Sequence, residues 1–104
     1  MARFDVYANP TAAERKHTPF VLDVQNNHLQ PLDTRIVIPL RTTRVLAKPA
    51  QGLNPLITVQ GQTLVLDTAS LAAVPVSMLR LPVARADAAA GDILDALDTL
   101  FGSF

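Results

Sequence analysis

A mainly β chain closed by one C-terminal helix is what this sequence predicts, and three observations carry the prediction. Apolar residues recur with a period of two around Phe4 and Val6, around Phe20, Leu22 and Val24, and around Ile36, Ile38 and Leu40, as half-buried strands require. Leu56-Ile57-Thr58-Val59 and Thr63-Leu64-Val65-Leu66 flank Gln60-Gly61-Gln62, a tight hairpin signal with its glycine in the turn. From Asp87 onward the spacing changes: Ala90, Ile93, Leu97, Leu100 and Phe101 fall three or four apart, widened by Leu94, and make one apolar helix stripe.

Taken in order, the first strand sets Phe4 and Val6 against Arg3, Asp5 and Tyr7 on the other face. Residues 9–19 follow, polar, bracketed by prolines and centred on Glu14-Arg15-Lys16-His17, which predicts a long exposed loop. The second strand alternates Phe20, Leu22 and Val24 with Val21, Asp23 and Gln25. The third contains Pro39, which cannot donate to a ladder, so an edge position or a break is expected there, with residues 43–47 as a short continuation. After the hairpin, residues 68–73 read as a helical turn and residues 74–79 as a further strand. Pro82 breaks the chain before the last helix, for which Asp87 is the expected N-cap. Asp92, Asp95 and Asp98 line the helix's polar side, either as a solvated face or as a stripe for a basic partner. Acidic residues near a helix C-terminus oppose the macrodipole by a few tenths of a kcal/mol, which singles out Asp98.

Composition narrows the class further. At 104 residues the chain is expected to be a single domain, 1–104, and 49% hydrophobic against 17% charged residues describe a chain that folds. It has no cysteine, so a disulfide framework, a thiolate nucleophile and a Cys-based zinc site are excluded, in keeping with a cytoplasmic location. The opening residues Met1-Ala2-Arg3-Phe4-Asp5 lack the apolar stretch of a secretory signal, and no run approaches the ~20 residues a bilayer span needs, so neither export nor membrane insertion is expected. Net charge is zero, yet residues 1–50 hold seven Lys/Arg against four Asp/Glu and residues 51–104 hold two against five. Such a balance disfavours binding nucleic acid by counterion release, apart from a local patch of Arg35, Arg41, Arg44 and Lys48, and favours a protein partner.

Two of the four phenylalanines, Phe101 and Phe104, stand in the last four residues, where large aromatics either fold back on the core or meet a partner. The succession Phe4-Asp5-Val6-Tyr7, Val21-Leu22-Asp23-Val24-Gln25, Arg35-Ile36-Val37-Ile38-Pro39-Leu40 and Ala72-Ala73-Val74-Pro75-Val76-Ser77, then a terminal helix, resembles the CcdB family of plasmid and chromosomal toxins over essentially the whole chain.

The resemblance implies a homodimer of small SH3-like β-barrels with a short extra sheet and a C-terminal helix. It implies a poison rather than an enzyme: a toxin that binds the DNA gyrase A subunit and traps cleaved DNA. It also implies a CcdA-like antitoxin whose disordered tail folds onto the toxin, removes it from gyrase and, with the toxin, represses their operon. No cofactor is implied, and DNA is met only through gyrase or the antitoxin. The gyrase-facing tip would be the helix end, where Phe-Trp-Gly-Ile is typical. An ungapped match sets Phe101, Gly102, Ser103 and Phe104 on those four; a one-residue slip sets Phe101 on the tryptophan and Gly102 on the glycine. With Asp98 and the loop pair His28 and Leu29, these make the implied gyrase surface, and Ile93, Leu97, Leu100 and Phe101 the implied dimer interface.

Other chemistries find little support in the residues. His17 and His28 lie in predicted loops with no H-E-x-x-H, Ser70, Ser77 and Ser103 lack a G-x-S-x-G turn, and neither Gly52 nor Gly61 opens a phosphate loop. Two alternatives stay open: an inactive or retargeted homologue that only binds antitoxin, and a MazF/Kid-like endoribonuclease on the same barrel. Residues 9–19, Arg41 and Arg44 are candidate antitoxin contacts because they are polar and expected to be exposed.

Overall fold

The computed structural model describes residues 1–27 and 32–102. Seven strands form one antiparallel sheet in the order β4-β5-β3-β2-β1-β7, with β6 as a second partner of β3. They are β1 (Asp5–Ala8), β2 (Phe20–Asp23), β3 (Thr34–Thr42), β4 (Leu56–Val59), β5 (Gln62–Leu66), β6 (Ala72–Pro75) and β7 (Ala84–Arg85), followed by helix α1 (Ala90–Phe101). The sheet curls until its ends nearly meet: Gln60, at the tip of the β4–β5 hairpin, donates from Nε2 to the Val83 carbonyl beside β7 at 3.2 Å. The result is a nearly closed barrel with one helix, as the sequence predicts. In the hairpin turn Gln60 and Gly61 both take positive φ, 51° and 79°, as a two-residue turn matching the strand twist requires.

Pro39 does not mark an edge. β3 is the central strand, paired with β2 on one side and, on the other, first with β6 (Thr34 to Val37) and then with β5 (Leu40 to Thr42). Pro39 stands where the partner changes, and its carbonyl accepts from Asp67 N, which follows β5. A residue's N–H and C=O leave a strand on the same side, so the missing donor falls in the gap between β6 and β5 and no ladder bond is lost.

Three other boundaries differ from expectation. Residues 43–46 turn rather than extend β3. Only residues 68–70 coil as a 3₁₀ turn, after which β6 runs from Ala72 to Pro75 and Val76–Met78 coils again. Asp87 caps nothing: it opens a 3₁₀ turn, and its carboxylate is taken by Arg85 through bonds of 2.6 and 2.8 Å.

The main core lies inside the barrel, where Val6, Leu22, Ile38, Leu40, Leu64 and Leu66 from the strands meet Ile93 and Ala96 of α1. Each such side chain contributes about 1.5–3 kcal/mol by leaving water. The strands are also covered on their other face, against the half-buried reading. Tyr7, Val21, Val37 and Leu79 form a second buried cluster there, and Asp5, Asp23, Gln25 and Arg35 are buried as well.

Candidate functional site

The end of α1 combines a rigid base with an exposed tip. Ile93 and Ala96 are fully buried and anchor the helix to the barrel, while Leu97 and Leu100 are half-buried and Leu94 is exposed. Ile93 therefore offers no free surface for pairing with a second copy; it holds the helix to its own chain. Asp92, Asp95 and Asp98 face solvent. Asp92 in the first turn favours the macrodipole, and no basic side chain offsets Asp98 in the last turn. The helix stops at Gly102, whose φ of 72° only glycine adopts without strain and whose N–H closes onto the Asp98 carbonyl at 2.8 Å. Just before that cap Phe101 is 70% exposed. Beside it the turn of residues 50–54 packs close: a Cβ added at Gly52 would lie 3.7 Å from Thr99 Oγ1.

The root of the β2–β3 loop is the second element, and the sequence reading missed how it is built. Asp23 and Arg35 are diagonal neighbours, since Asp23 opposes Val37 two positions from Arg35 on the same face. Arg35 donates from Nε to Asp23 Oδ2 at 2.8 Å and from Nη2 to Oδ1 at 2.9 Å and to the Gln25 carbonyl at 3.2 Å. Gln25 N–H donates to Asp23 Oδ1, and Gln25 Oε1 accepts from Ile36 N–H, both at 3.0 Å. Both charges are out of water, at 1% and 0% exposure, and among the described residues Arg35 Nη1 has no partner. The patch of Arg35, Arg41, Arg44 and Lys48 consequently does not form: Arg35 is interior, and Arg41 is held by Asp67 at 2.7 Å.

Arg3 ties the N-terminal segment to the same loop. Its N–H donates to Asn27 Oδ1 at 2.7 Å, its Nε donates to the Val24 carbonyl at 3.1 Å, and its guanidinium lies 5.4 Å above the Phe4 ring. Phe4 itself takes φ of 73°, a conformation that costs a non-glycine residue of order 1–3 kcal/mol and marks a place held by its surroundings. Asn26 and Asn27 are exposed; His28 and Leu29, like Ser103 and Phe104, lie outside the described residues.

Tyr7 stands on the face of this clamp. Burial, then the nearby Asp5 and Asp23 carboxylates, push its hydroxyl up to about 12. Asp5 in turn meets Arg85 Nη1 at 2.6 Å, and Arg85 lowers the Asp87 carboxyl from its ordinary value through its hydrogen bonds. The remaining charged cluster surrounds Thr18. His17 Nδ1 lies 2.7 Å from Thr18 Oγ1, which accepts from Arg41 Nη1 at 2.8 Å, while Arg41 Nε donates to Asp67. A histidine and an arginine thus meet at one buried hydroxyl, and the arginine in turn holds Asp67, which ties the end of the 9–19 loop to the barrel. Among the described residues no three His, Cys, Asp or Glu side chains gather as a metal site, and no helix is long and apolar enough to cross a membrane.

A nearly closed antiparallel barrel with one C-terminal helix that displays an aromatic at its end defines the class: a small single-helix β-barrel. The family model described as CcdB protein matches residues 3–102, and the chain belongs to that family, the gyrase-poisoning toxins of CcdA/CcdB systems, which act by binding and are not enzymes. No curated protein matches the chain.

Proposed function

We propose that two copies of this chain together engage the gyrase A subunits through the ends of their α1 helices, in the cytoplasm, and hold the enzyme with its DNA cut. The observation that carries this reading is Phe101, 70% exposed on the last turn of a helix whose inner face is locked into the core. Burying such a ring against a partner is worth about 1.5–3 kcal/mol, and a helix that is already ordered loses little entropy in doing so. Gly102 supports the slipped reading of the family's ending. Its positive φ suits a glycine and not a tryptophan, so Phe101 takes the tryptophan's place as the aromatic at the tip. Leu97, Leu100 and Phe101 are the surface for pairing, with Ile93 as the anchor beneath it, and Asp98 borders the tip. Ser103, Phe104, His28 and Leu29 complete the gyrase surface. A CcdA-like antitoxin covers the toxin in the resting state.

A cleavage assay with the full chain, gyrase, supercoiled DNA and ATP tests the proposal, scored as linear DNA after protein denaturation. Linear DNA with the full chain and none after removal of residues 102–104 is the expected result. No linear DNA with several gyrases would make the chain an inactive or retargeted homologue that serves only to bind antitoxin.

A further inference from the structure

We infer that Arg3 and Phe4 are positioning residues for the gyrase surface of the function proposed above, on which this reading rests: they form a tie that holds the root of the β2–β3 loop and the lead-in to α1 in one fixed relation. In a regular strand a residue's N–H and C=O leave on the same side. Phe4 breaks that rule, since its N–H donates to the Asp23 carbonyl of β2 at 2.7 Å while its carbonyl accepts from Ala86 N–H, just past β7, at 2.9 Å. Arg3 repeats the division. On one side its N–H donates to Asn27 Oδ1 at 2.7 Å and its Nε to the Val24 carbonyl at 3.1 Å, and on the other its carbonyl accepts from Arg85 Nη2 at 3.2 Å. Two consecutive residues thus bond at once to the segment that runs into Asn26 and Asn27 and to the segment that runs into α1.

The backbone that makes this possible is held against its own preference. Asp5 N–H donates to the Ala2 carbonyl at 3.0 Å and closes a turn whose third residue, Phe4, has φ of 73°. Glycine or asparagine ordinarily fills a place of that kind. The other non-glycine residue with positive φ among the described residues, Gln60, lies in a hairpin turn that calls for it. Phe4 is kept in place because its ring packs against the main core and the Arg3 guanidinium lies 5.4 Å above it. Strain maintained by the surroundings points to a use for the geometry it preserves. The use follows from where the two bonded segments lead. Asn26 and Asn27 are exposed and the sequence after them belongs to the proposed gyrase surface, whereas residues 85–89 enter the helix that ends at Phe101. A loop root that is already ordered loses less entropy when it meets a partner, so the tie acts on affinity through the loop.

Two substitutions separate the bond from the charge. Arg3→Met fills the space of the side chain as far as Nε and removes the donors, whereas Arg3→Gln keeps a nitrogen on Cδ, where Nε stands, and so keeps the bond to Val24 without the guanidinium. The first arm uses the full chain alone. Hydrogen exchange at the Phe4 and Ala86 amides is expected to run at least about threefold faster in Arg3→Met than in the native chain and close to native in Arg3→Gln, with the Leu22 and Ile38 amides unchanged in both. The order parameter of the Asn27 amide is expected to fall in Arg3→Met only. The second arm is the cleavage assay, in which Arg3→Met is expected to need about tenfold more protein than the native chain for the same linear DNA, and Arg3→Gln no more than about twofold. Equal exchange and order in all three chains would overturn the tie. Faster exchange with unchanged linear DNA would make it a brace of the fold alone and overturn its role at gyrase. A loss in Arg3→Gln as large as in Arg3→Met would place the guanidinium in direct contact with gyrase and overturn the positioning role as well. No linear DNA from the native chain would instead count against the proposed function, and the exchange arm would still decide the tie.

Discussion

At the root of the β2–β3 loop two opposite charges lie almost wholly out of water, whereas at the end of α1 an aromatic side chain lies mostly in it. Each runs against the ordinary sorting of residues between interior and surface. The clamp of Asp23 and Arg35 is closed on itself: the carboxylate accepts two bonds from one guanidinium and one from Gln25 N–H, and Gln25 reaches back to Ile36. Among the described residues nothing covers Phe101 in that way, and it stays 70% exposed. The interior departure fixes the root of a loop, and the surface departure, in the function proposed above, offers a contact, so the two should respond to mutation in opposite ways.

The largest effect is expected at the clamp. Removing either partner strands a buried charge, so Asp23→Ala or Arg35→Ala should each cost about 3–5 kcal/mol in urea unfolding. Replacing both together with apolar residues, as Asp23→Leu with Arg35→Met, should cost far less than the sum of the two single losses. Additive losses in that double-mutant cycle would show that the two side chains act separately, and the comparison with the helix end would lose its basis.

Alkaline pH gives the next effect, through Tyr7 beside the clamp. Its hydroxyl titrates at about 12 in the folded chain against about 10 in the unfolded one. A raised folded value means that the stabilisation is complete below about pH 10 and disappears as pH rises through 10 to 12, a span worth about 2–3 kcal/mol. Tyr7→Phe should flatten that part of the stability profile while leaving the curve near neutrality close to its former shape. A smaller effect belongs to Arg85, half exposed and shared between Asp5 and Asp87. Arg85→Ala should lower the urea midpoint by only a small part of the loss at Arg35, and about 0.5 M salt should narrow the difference further.

How far these regions were legible in the sequence follows the same divide. The alternation of Leu22 and Val24, and of Ile36, Ile38 and Leu40, marks the main core because a single buried face leaves a period of two. The second covered face left no such trace, since Asp5, Tyr7, Asp23 and Arg35 look like surface residues until their partners across strands are known. Asp23 and Arg35 are twelve positions apart, and only the β2–β3 register makes them diagonal neighbours. Pro39 misled for a related reason: propensity forbids it in a continuous ladder, but the switch from β6 to β5 makes a gap that a linear reading cannot foresee. At the helix the apolar spacing gave the stripe, and the aromatic ending gave the tip. It did not divide that stripe into Ile93, wholly inside, and Leu97 and Leu100, partly out, because the width of the covering surface is set by the barrel.

The smallest expected change in stability falls at the tip, where the functional effect should be greatest. Phe101 touches solvent over most of its surface, so Phe101→Ala removes little packing and should stay within about 0.5 kcal/mol of the native chain in urea. If the ring is the anchor at gyrase, the same substitution forfeits about 1.5–3 kcal/mol of binding, roughly 10- to 150-fold in the concentration needed for linear DNA. On the slipped match, Phe101→Trp restores the family's tryptophan and should keep or raise potency. The pair separates two causes that a truncation mixes, since removal of residues 102–104 also takes away the Gly102 cap and lets the last turn fray. A Phe101→Ala chain that folds as before and still yields linear DNA at the native concentration would move the gyrase contact away from the helix end. The loop root, where Arg3 meets Asn27 next to the Asp23–Arg35 clamp, would then be the surface to mutate next.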